Sequence, residues 1–424
     1  MDVSELQKTG KDQIIEFPMC LPGPSIFHHI LLYLSAIDIG RLMQASRTLK
    51  IWITSDSVLW RIQCQRVWLC DDKRDEESWH DKWLSCCDDW RPYMNCYAKI
   101  KSTWIRISQF LQLKCPKALE QFNPGISEKE IKHVETALGI KLPVEYRCFL
   151  RLCNGMKYDH GISFLGSVTL YNTTFEYILY CIDDMKEFSK GIHSDLFVSH
   201  NSGQMEYYAC LGGDLYGRCG WFLLSCSSQP HELSGHVYQV NSYLYTYAKP
   251  LLFSDWLIEQ ANLLELYSID NQAIHRFLFH PEFIAVTGHF TVRVGTAFDP
   301  AKLNDYTHVL VEQSGNVDVR YAYRIEIFMA DDAPRYESCR LESRHWLIKL
   351  SDGTSDVVDG PGVVGETPSF KPGSSHKYAS CNYFHTEWCS MEGYFTMRYH
   401  DFPGNFKIAI PKFTMYKPEL NKVA

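Results

Sequence analysis

The sequence predicts a multidomain α+β protein, with a small all-α module first, a mixed α/β domain in the middle and a C-terminal antiparallel β-sandwich. Three observations carry this. At 424 residues the chain exceeds what one ordinary hydrophobic core holds. Apolar residues recur at helical spacing through most of the first 150 positions, between Ser, Asp and Pro start signals. From about Phe277 the apolar period switches to two, in short runs separated by Gly, Pro and Asp.

The first element spans residues 14–64. Leu21-Pro22 opens it, Pro24-Ser25 supplies a helix start, and Ile26, Phe27, Ile30, Leu31 and Leu34 follow at helical spacing. Asp38 is read as the N-cap of a second helix bearing Ile39, Leu42 and Met43, and Ser57 as the cap of a third bearing Leu59, Trp60 and Ile62. So small a module cannot bury that many apolar residues alone, so it is expected to lean on a partner or on the next domain. Residues 65–116 read as a helical spacer carrying Trp68, Trp79, Trp83, Trp90 and Trp104, with the acidic stretch from Asp71 to Glu77 as a solvated loop.

The second domain, 117–266, announces itself with a capping box, Ser127 to Glu130, ahead of Ile131, Val134 and Leu138, and ends that helix at Gly139. Leu142-Pro143 starts a second helix through Tyr146, Phe149 and Leu150, stopped at Asn154-Gly155. Strand-like sequence follows, with turns placed at Gly212-Gly213 and between Gly217 and Gly220, before a last helix from Phe253 to Leu266.

The third domain, 277–418, alternates. Its five runs centre on Val292, on Tyr321, Tyr323, Ile325 and Ile327, on Trp346 and Ile348, on Phe395 and Met397, and on Ile408 and Ile410. Tyr306 to Val319 reads as a long loop before the second run.

Composition narrows the function classes. An apolar fraction of 46% with 22% charged residues is globular. A net charge of −8, with no Lys/Arg run, gives no basic face for nucleic acid. No stretch approaches the roughly 18 apolar residues of a membrane span, and the N-terminus has no apolar signal segment. The 16 cysteines lack a framework and are expected as reduced thiols. A cytoplasmic or nuclear protein, without nucleic-acid or membrane partners, is the expectation.

Three family resemblances add to this reading. Leu21-Pro22, Ile30, Leu34, Asp38 and the Leu59-Trp60 dipeptide resemble an F-box, although Arg47-Thr48-Leu49 lacks a tryptophan frequent in that family. The resemblance implies docking on a Skp-type adaptor, and through it on a cullin, by the surface carrying Leu21, Pro22, Ile30, Leu34 and Asp38. The middle domain is similar to the SUKH (Smi1/Knr4-type) family, on the Ser127 capping box, Gly139-Ile140-Lys141-Leu142-Pro143, Tyr146, Asn154-Gly155 and Trp256. That implies a mixed α/β interaction module. The last domain is similar to the ApaG family, a fibronectin III-like sandwich, on Arg324 to Ile327, Leu341 to Trp346, Gly360 to Gly365, Met391 to Tyr394 and Ala409-Ile410-Pro411.

Several patterns that could carry chemistry also fit ordinary structure. Gly360, Gly362 and Gly365 satisfy a G-x-G-x-x-G spacing, but Pro368 and Pro372 follow where a dinucleotide site needs a helix N-terminus. A structural turn is the favoured reading, and a loop of backbone amides that binds an anion or a peptide carboxylate of a substrate is the alternative. His231 and His236 are five apart across Ser-Gly, not on one helical face, so no metal is expected. Cys86-Cys87 and the Cys381/Cys389 pair carry no nucleophile signature, and no C-x-x-C occurs. Tyr321, Tyr323 and Trp346 read as sandwich core. The expectation is a non-catalytic, cofactor-free adaptor that recruits target proteins to a ubiquitin ligase; the alternatives are a scaffold that binds the Skp-type adaptor alone, or an anion or nucleotide regulator using the glycine loop.

Overall fold

The computed structural model describes residues 24–157, 162–170, 173–195, 207–214, 220–226, 234–240, 245–246, 248–299, 319–418 and 421–422. Leu21, Pro22, Gly217, His231 and most of the long loop before Val319 lie outside them. Two compact units are present, Met1–Ser102 and Thr103–Ala424.

The first unit is helical: α1 (Pro24–Tyr33), α2 (Ala36–Ala45), α3 (Arg47–Ser55), α4 (Ser57–Trp68), α5 (Trp79–Trp90) and the start of α6 (Tyr97–Lys114), within which the division between units falls. Four helices occupy Pro24–Trp68 where three were expected, because Ser46 caps a helix at Arg47 that the sequence reading passed over. The caps also move. Ser35, not Asp38, is the N-cap of α2, and Asp38 sits in its first turn with its N–H donating to Ser35 Oγ at 3.2 Å. Asp56, not Ser57, caps α4. A helix needs an acceptor for its first N–H groups, and in both cases the residue just before the first turn supplies it. The open carbonyls at the end of α1 are met from α4, where Gln63 donates to Leu34 O and Arg66 to Leu32 O. Phe27, Leu31, Ile39, Ile53 and Leu59 form the small core, and the indole N–H of Trp60 donates to Ile53 O at 2.8 Å. The module does lean on a neighbour: Trp60 and Trp68 pack against Trp83 of α5, and Trp68 against Tyr97.

The second unit completes α6 and adds α7 (Pro116–Glu120), α8 (Glu128–Leu138), α9 (Val144–Leu152), α10 (Ile182–Asp195) and α11 (Phe253–Leu266). The capping box at Ser127 and Glu130 is formed, and Gly139 closes α8 in the left-handed region. Glu135, fully buried, pins α8 to α9 by accepting from Leu142 N–H at 2.9 Å and Arg147 at 3.1 Å. Glu145 accepts from the backbone N–H and hydroxyl of Ser254, satisfying the start of α11.

The strands of the middle domain are β1 (Phe122–Pro124), β2 (Cys153–Met156), β3 (Ser167–Leu170), β4 (Thr173–Leu179), β5 (Tyr207–Asp214), β6 (Trp221–Cys226), β7 (His236–Val240), β8 (Tyr245–Thr246) and β9 (Leu251–Leu252). Gly212-Gly213 is not a turn but lies inside β5, where a Cβ on Gly212 would stand 2.2 Å from Ile178 O of the neighbouring strand. Asn154-Gly155 likewise belongs to β2. Two adjacent glycines look like a turn in sequence; here they permit close strand approach.

Next come β10 (Tyr267–Asp270), β11 (Ala273–Leu278), β12 (Ile284–Thr287), β13 (Phe290–Asp299), β14 (Val319–Met329), β15 (Cys339–Leu350), β16 (Ser355–Pro361), β17 (Ser369–Phe370), β18 (Ser375–Phe384), β19 (Trp388–Tyr399), β20 (Asn405–Tyr416) and β21 (Asn421–Lys422). Two sheets form the sandwich. One is β16-β15-β19-β20; the other begins β18-β14-β13 and does not stop there. It runs on through β11 into β3-β4-β5-β6-β7-β8 and ends at β21. The joint is the β10–β11 hairpin, whose β11 pairs antiparallel with β13 at Leu278↔Thr296 and parallel with β3 at His275↔Ser167.

The sandwich core contains Val292, Ile325, Trp346, Phe395, Ile408 and Phe413. β14 is covered on both faces, since Ala322 and Glu326 are buried as well as Tyr323, Ile325 and Ile327. On its second face Glu326, with no exposed surface, accepts from Arg293 at 2.6 Å, Arg324 at 3.1 Å and Ser268 of the joint hairpin at 3.1 Å. Asp270 of the same hairpin takes Arg324 and Lys377.

Candidate docking surfaces

Helix α1 has two apolar faces. Phe27 and Leu31 point into the core at 6% and 0% exposure, whereas Ile26, Ile30 and Tyr33 are 59%, 44% and 87% exposed. Ile37, in the first turn of α2, is 51% exposed. The spacing 26, 30, 33 is one stripe of α1, and Ile26, Ile30 and Tyr33 on it are all exposed. Ile51 and Val58 are exposed nearby in sequence. Of the residues expected to dock, Ile30 is on this stripe, Leu34 is half-buried just beyond α1, and Asp38 is half-buried in the first turn of α2, where Ser35 and Arg41 hold its carboxyl below the usual range. Tyr33 and Ile37 were not singled out from sequence. A signal existed: a helix that exposes one apolar row while burying another repeats apolar residues at both i+3 and i+4 around more than one face.

The glycine loop of the sandwich is a closed turn. Gly362 N–H donates to Glu342 O at 2.8 Å, and Val363 and Glu366 exchange both backbone hydrogen bonds at 2.8 and 2.9 Å. The two residues between them, Val364 and Gly365, have φ of +48° and +80°, the pattern of a two-residue hairpin turn with both central residues left-handed. A Cβ on Gly362 would stand 2.2 Å from Glu366 O, and one on Gly360 3.0 Å from the Arg344 guanidinium. Arg344 Nη1 donates to Pro361 O and Gly362 O, stapling the loop to β15. The chain then enters β17 rather than a helix.

Cys86, Cys87 and Cys389 sit in the opposite environment from an activated cysteine. Burial pushes Cys87 and Cys389 each up to about 11, and raises Cys86. His236 lies in β7, and His231 lies outside the described residues. No helix among the described residues is long and apolar enough to cross a membrane.

Comparison with known proteins agrees with this layout. The SMI1/KNR4 family (SUKH-1) matches residues 125–275, and the ApaG domain matches residues 311–399. F-box only protein 3 of Rattus norvegicus is 31% identical over 405 residues, covering 92% of this chain and 80% of that protein. The Homo sapiens protein of the same name is 30% identical, covering 92% and 82%. F-box protein SKIP16 of Arabidopsis thaliana is 24% identical over 439 residues, covering 94% and 98%. With identity sustained along nearly the whole chain, through helical module, mixed domain and sandwich alike, the chain belongs to the F-box only protein 3 family.

Proposed function

We propose that the chain is the substrate-recognition subunit of a Skp–cullin–F-box ubiquitin ligase. Its helical unit docks on the Skp-type adaptor and through it on the cullin, while the second unit holds a target protein for ubiquitination and proteasomal degradation. The observation that carries this is the set of exposed apolar side chains Ile26, Ile30 and Tyr33 of α1 and Ile37 of α2. Burying each such side chain against a partner contributes about 1.5–3 kcal/mol, enough for a few to dominate an interface. The chain acts without covalent chemistry. Tethering raises the target's effective concentration beside the charged ubiquitin carrier and replaces a diffusional encounter. The site of action is the cytoplasm or nucleus.

The test is co-purification with Skp-type adaptor and cullin, comparing wild type, Ile30→Glu and a Leu21→Ala/Pro22→Ala double variant. Ile30 is exposed, so the charge costs folding little but places an unpaired carboxylate in the interface. Wild type bringing down both proteins, with Ile30→Glu folded but empty-handed, supports the reading. Equal capture by both refutes the stripe as the docking face. Capture of the adaptor without cullin, and without ubiquitin chains on any bound partner, makes the chain a scaffold.

A further inference from the structure

Each sheet of the sandwich ends in a strand with one unpaired side, β16 in one and β18 in the other. The two ends are built differently. In β16 the N–H of Val357 points away from β15 and donates to the adjoining Asp356 carboxylate at 2.8 Å. Pro361, a second outward position, has no N–H, and its carbonyl is taken by Arg344. Capped N–H groups, acidic side chains and a proline keep another strand from adding to an edge. β18, Ser375–Phe384, has no proline and no acidic residue. It pairs with β14 along its whole length without a register shift, and Met329 N–H donates to Ser374 O at its start. That phase gives β14 the backbone groups of His376 and every second residue after it, and turns those of Lys377, Ala379 and Tyr383 outward. Among the described residues no hydrogen bond takes the outward backbone groups of these three. The Lys377 ammonium, which could guard the edge, is tied back to Asp270 at 3.1 Å. Beside the edge, between the two sheets, lies a cavity of about 280 Å³. Ser380, Cys381 and Asn382 all line it, so it reaches the backbone of β18 as well as its inward side chains. Trp346, Ile348 and Met391 make its apolar walls, and Val358 and Val364 are partly exposed along it.

We propose that β18 is a strand-addition site, where an extended segment of a target protein pairs with the open edge and places an apolar side chain in the cavity. An added antiparallel strand lies about 4.8 Å from β18. Its residue opposite Ala379 exchanges backbone hydrogen bonds with Ala379, and the next residue points, with Ser380, toward the cavity. Since about 150 Å³ suffices for a benzene ring, the cavity holds one large apolar side chain. The main chain of the segment then supplies affinity and its alternate side chains supply specificity. That the segment belongs to a recruited target rests on the function proposed above.

The experiment titrates the full-length chain with the peptide acetyl-Thr-Val-Thr-Leu-Thr-Val-Thr-amide, read by calorimetry and by hydrogen exchange resolved to single residues. No ligase component is present, so failure of adaptor docking leaves the result untouched. Exchange is expected to slow at Ala379 and its outward neighbours and to stay unchanged at Tyr378 and Ser380, whose N–H groups already bond β14. Methyl groups on the threonine nitrogens, which face β18 when the apolar side chains face the cavity, should weaken binding at least about tenfold. Methyl groups on the valine and leucine nitrogens, which face away, should not. Serine in place of the three apolar residues should weaken binding as strongly. Ala379→Pro removes an N–H that β14 does not use, so the variant should fold and lose the peptide. No binding at millimolar peptide, equal binding of the threonine-methylated form, equal binding by folded Ala379→Pro, or a uniform change along β18 overturns the proposal. So does protection of the same N–H groups that rises with protein concentration before peptide is added, which makes a second copy of the chain the occupant.

Discussion

Replacing Glu326 with alanine tests what holds the sandwich to the middle domain. The carboxylate is wholly buried on the face of β14 turned toward the β10–β11 hairpin. Burial alone would push its pKa up, but Arg293 and Arg324 outweigh that and hold it below the usual range, so it is ionised at neutral pH. Removing one member of a buried pair costs about 3–5 kcal/mol, because the other charge is left behind. Here the two cations differ. Arg293 is 40% exposed and can turn to water, whereas Arg324 is only 12% exposed and keeps just Asp270, at 3.3 Å. The lower end, about 3 kcal/mol, is therefore expected, and at about 2 °C per kcal/mol for a unit this large the melting temperature falls by about 6 °C. Urea and thermal unfolding of Glu326→Ala, Arg324→Ala and the double variant measure it. A loss under about 1 kcal/mol, or additive single losses, would refute a desolvated, coupled cluster at this joint.

The same joint makes stability acid-sensitive in two stages. Burial first, and then the Arg324 cation, lowers His275 from 6.5 to about 4, so the folded state keeps it neutral; its contribution is complete above pH 6.5 and is lost as the pH falls toward 4. Glu326 follows below its unfolded value near 4.5. His275→Phe should abolish the first stage, which urea midpoints between pH 7 and 4 will show. In the glycine loop, Gly362→Ala places a Cβ on a left-handed residue against Glu366 O and should cost about 2 kcal/mol or more, whereas Val364→Gly relieves a β-branched residue at φ +48° and should gain about 1 kcal/mol. Melting temperatures decide both. Ser127→Ala loses the capping box of α8 and should cost about 1 kcal/mol by the same measurement.

What the sequence could show divides by range. The capping box at Ser127, the helix Phe253–Leu266 and the alternating strands around Val292, Ile325, Trp346, Phe395 and Ile408 are local patterns, and their elements form. The errors are also local but subtler. Ser35 and Ser46 are as good caps as Asp38, and only the observed hydrogen bonds choose between them. β16, with Val357-Val358 between aspartates and nearly all of it exposed, has no alternation to betray it. The exposed apolar residues of the helical unit were half legible: Ile30 could be named, but Tyr33 and Ile37 become surface only once Phe27, Leu31 and Ile39 are seen to fill the core. Least legible was the joint. Residues 267–276 fell between the two predicted domains, yet they carry Ser268, Asp270 and His275 into a sheet whose partners lie about a hundred residues earlier. Long-range pairing leaves no periodicity in a single short strand.

The continuity of that sheet bears on how the protein is made. Thr246 of β8 pairs with Val240 of β7 on one side and, on the other, only with Asn421 of β21, at one end of the sheet. At ribosomal rates the roughly 175 residues between them take about 10–35 s to emerge, and more before they clear the exit tunnel. For that interval the outer side of β8 is an unpaired edge of the strands already made, open to other nascent chains. The middle domain is thus synthesised long before it is finished, and a ribosome that stalls within the sandwich leaves it with an exposed template for misassembly.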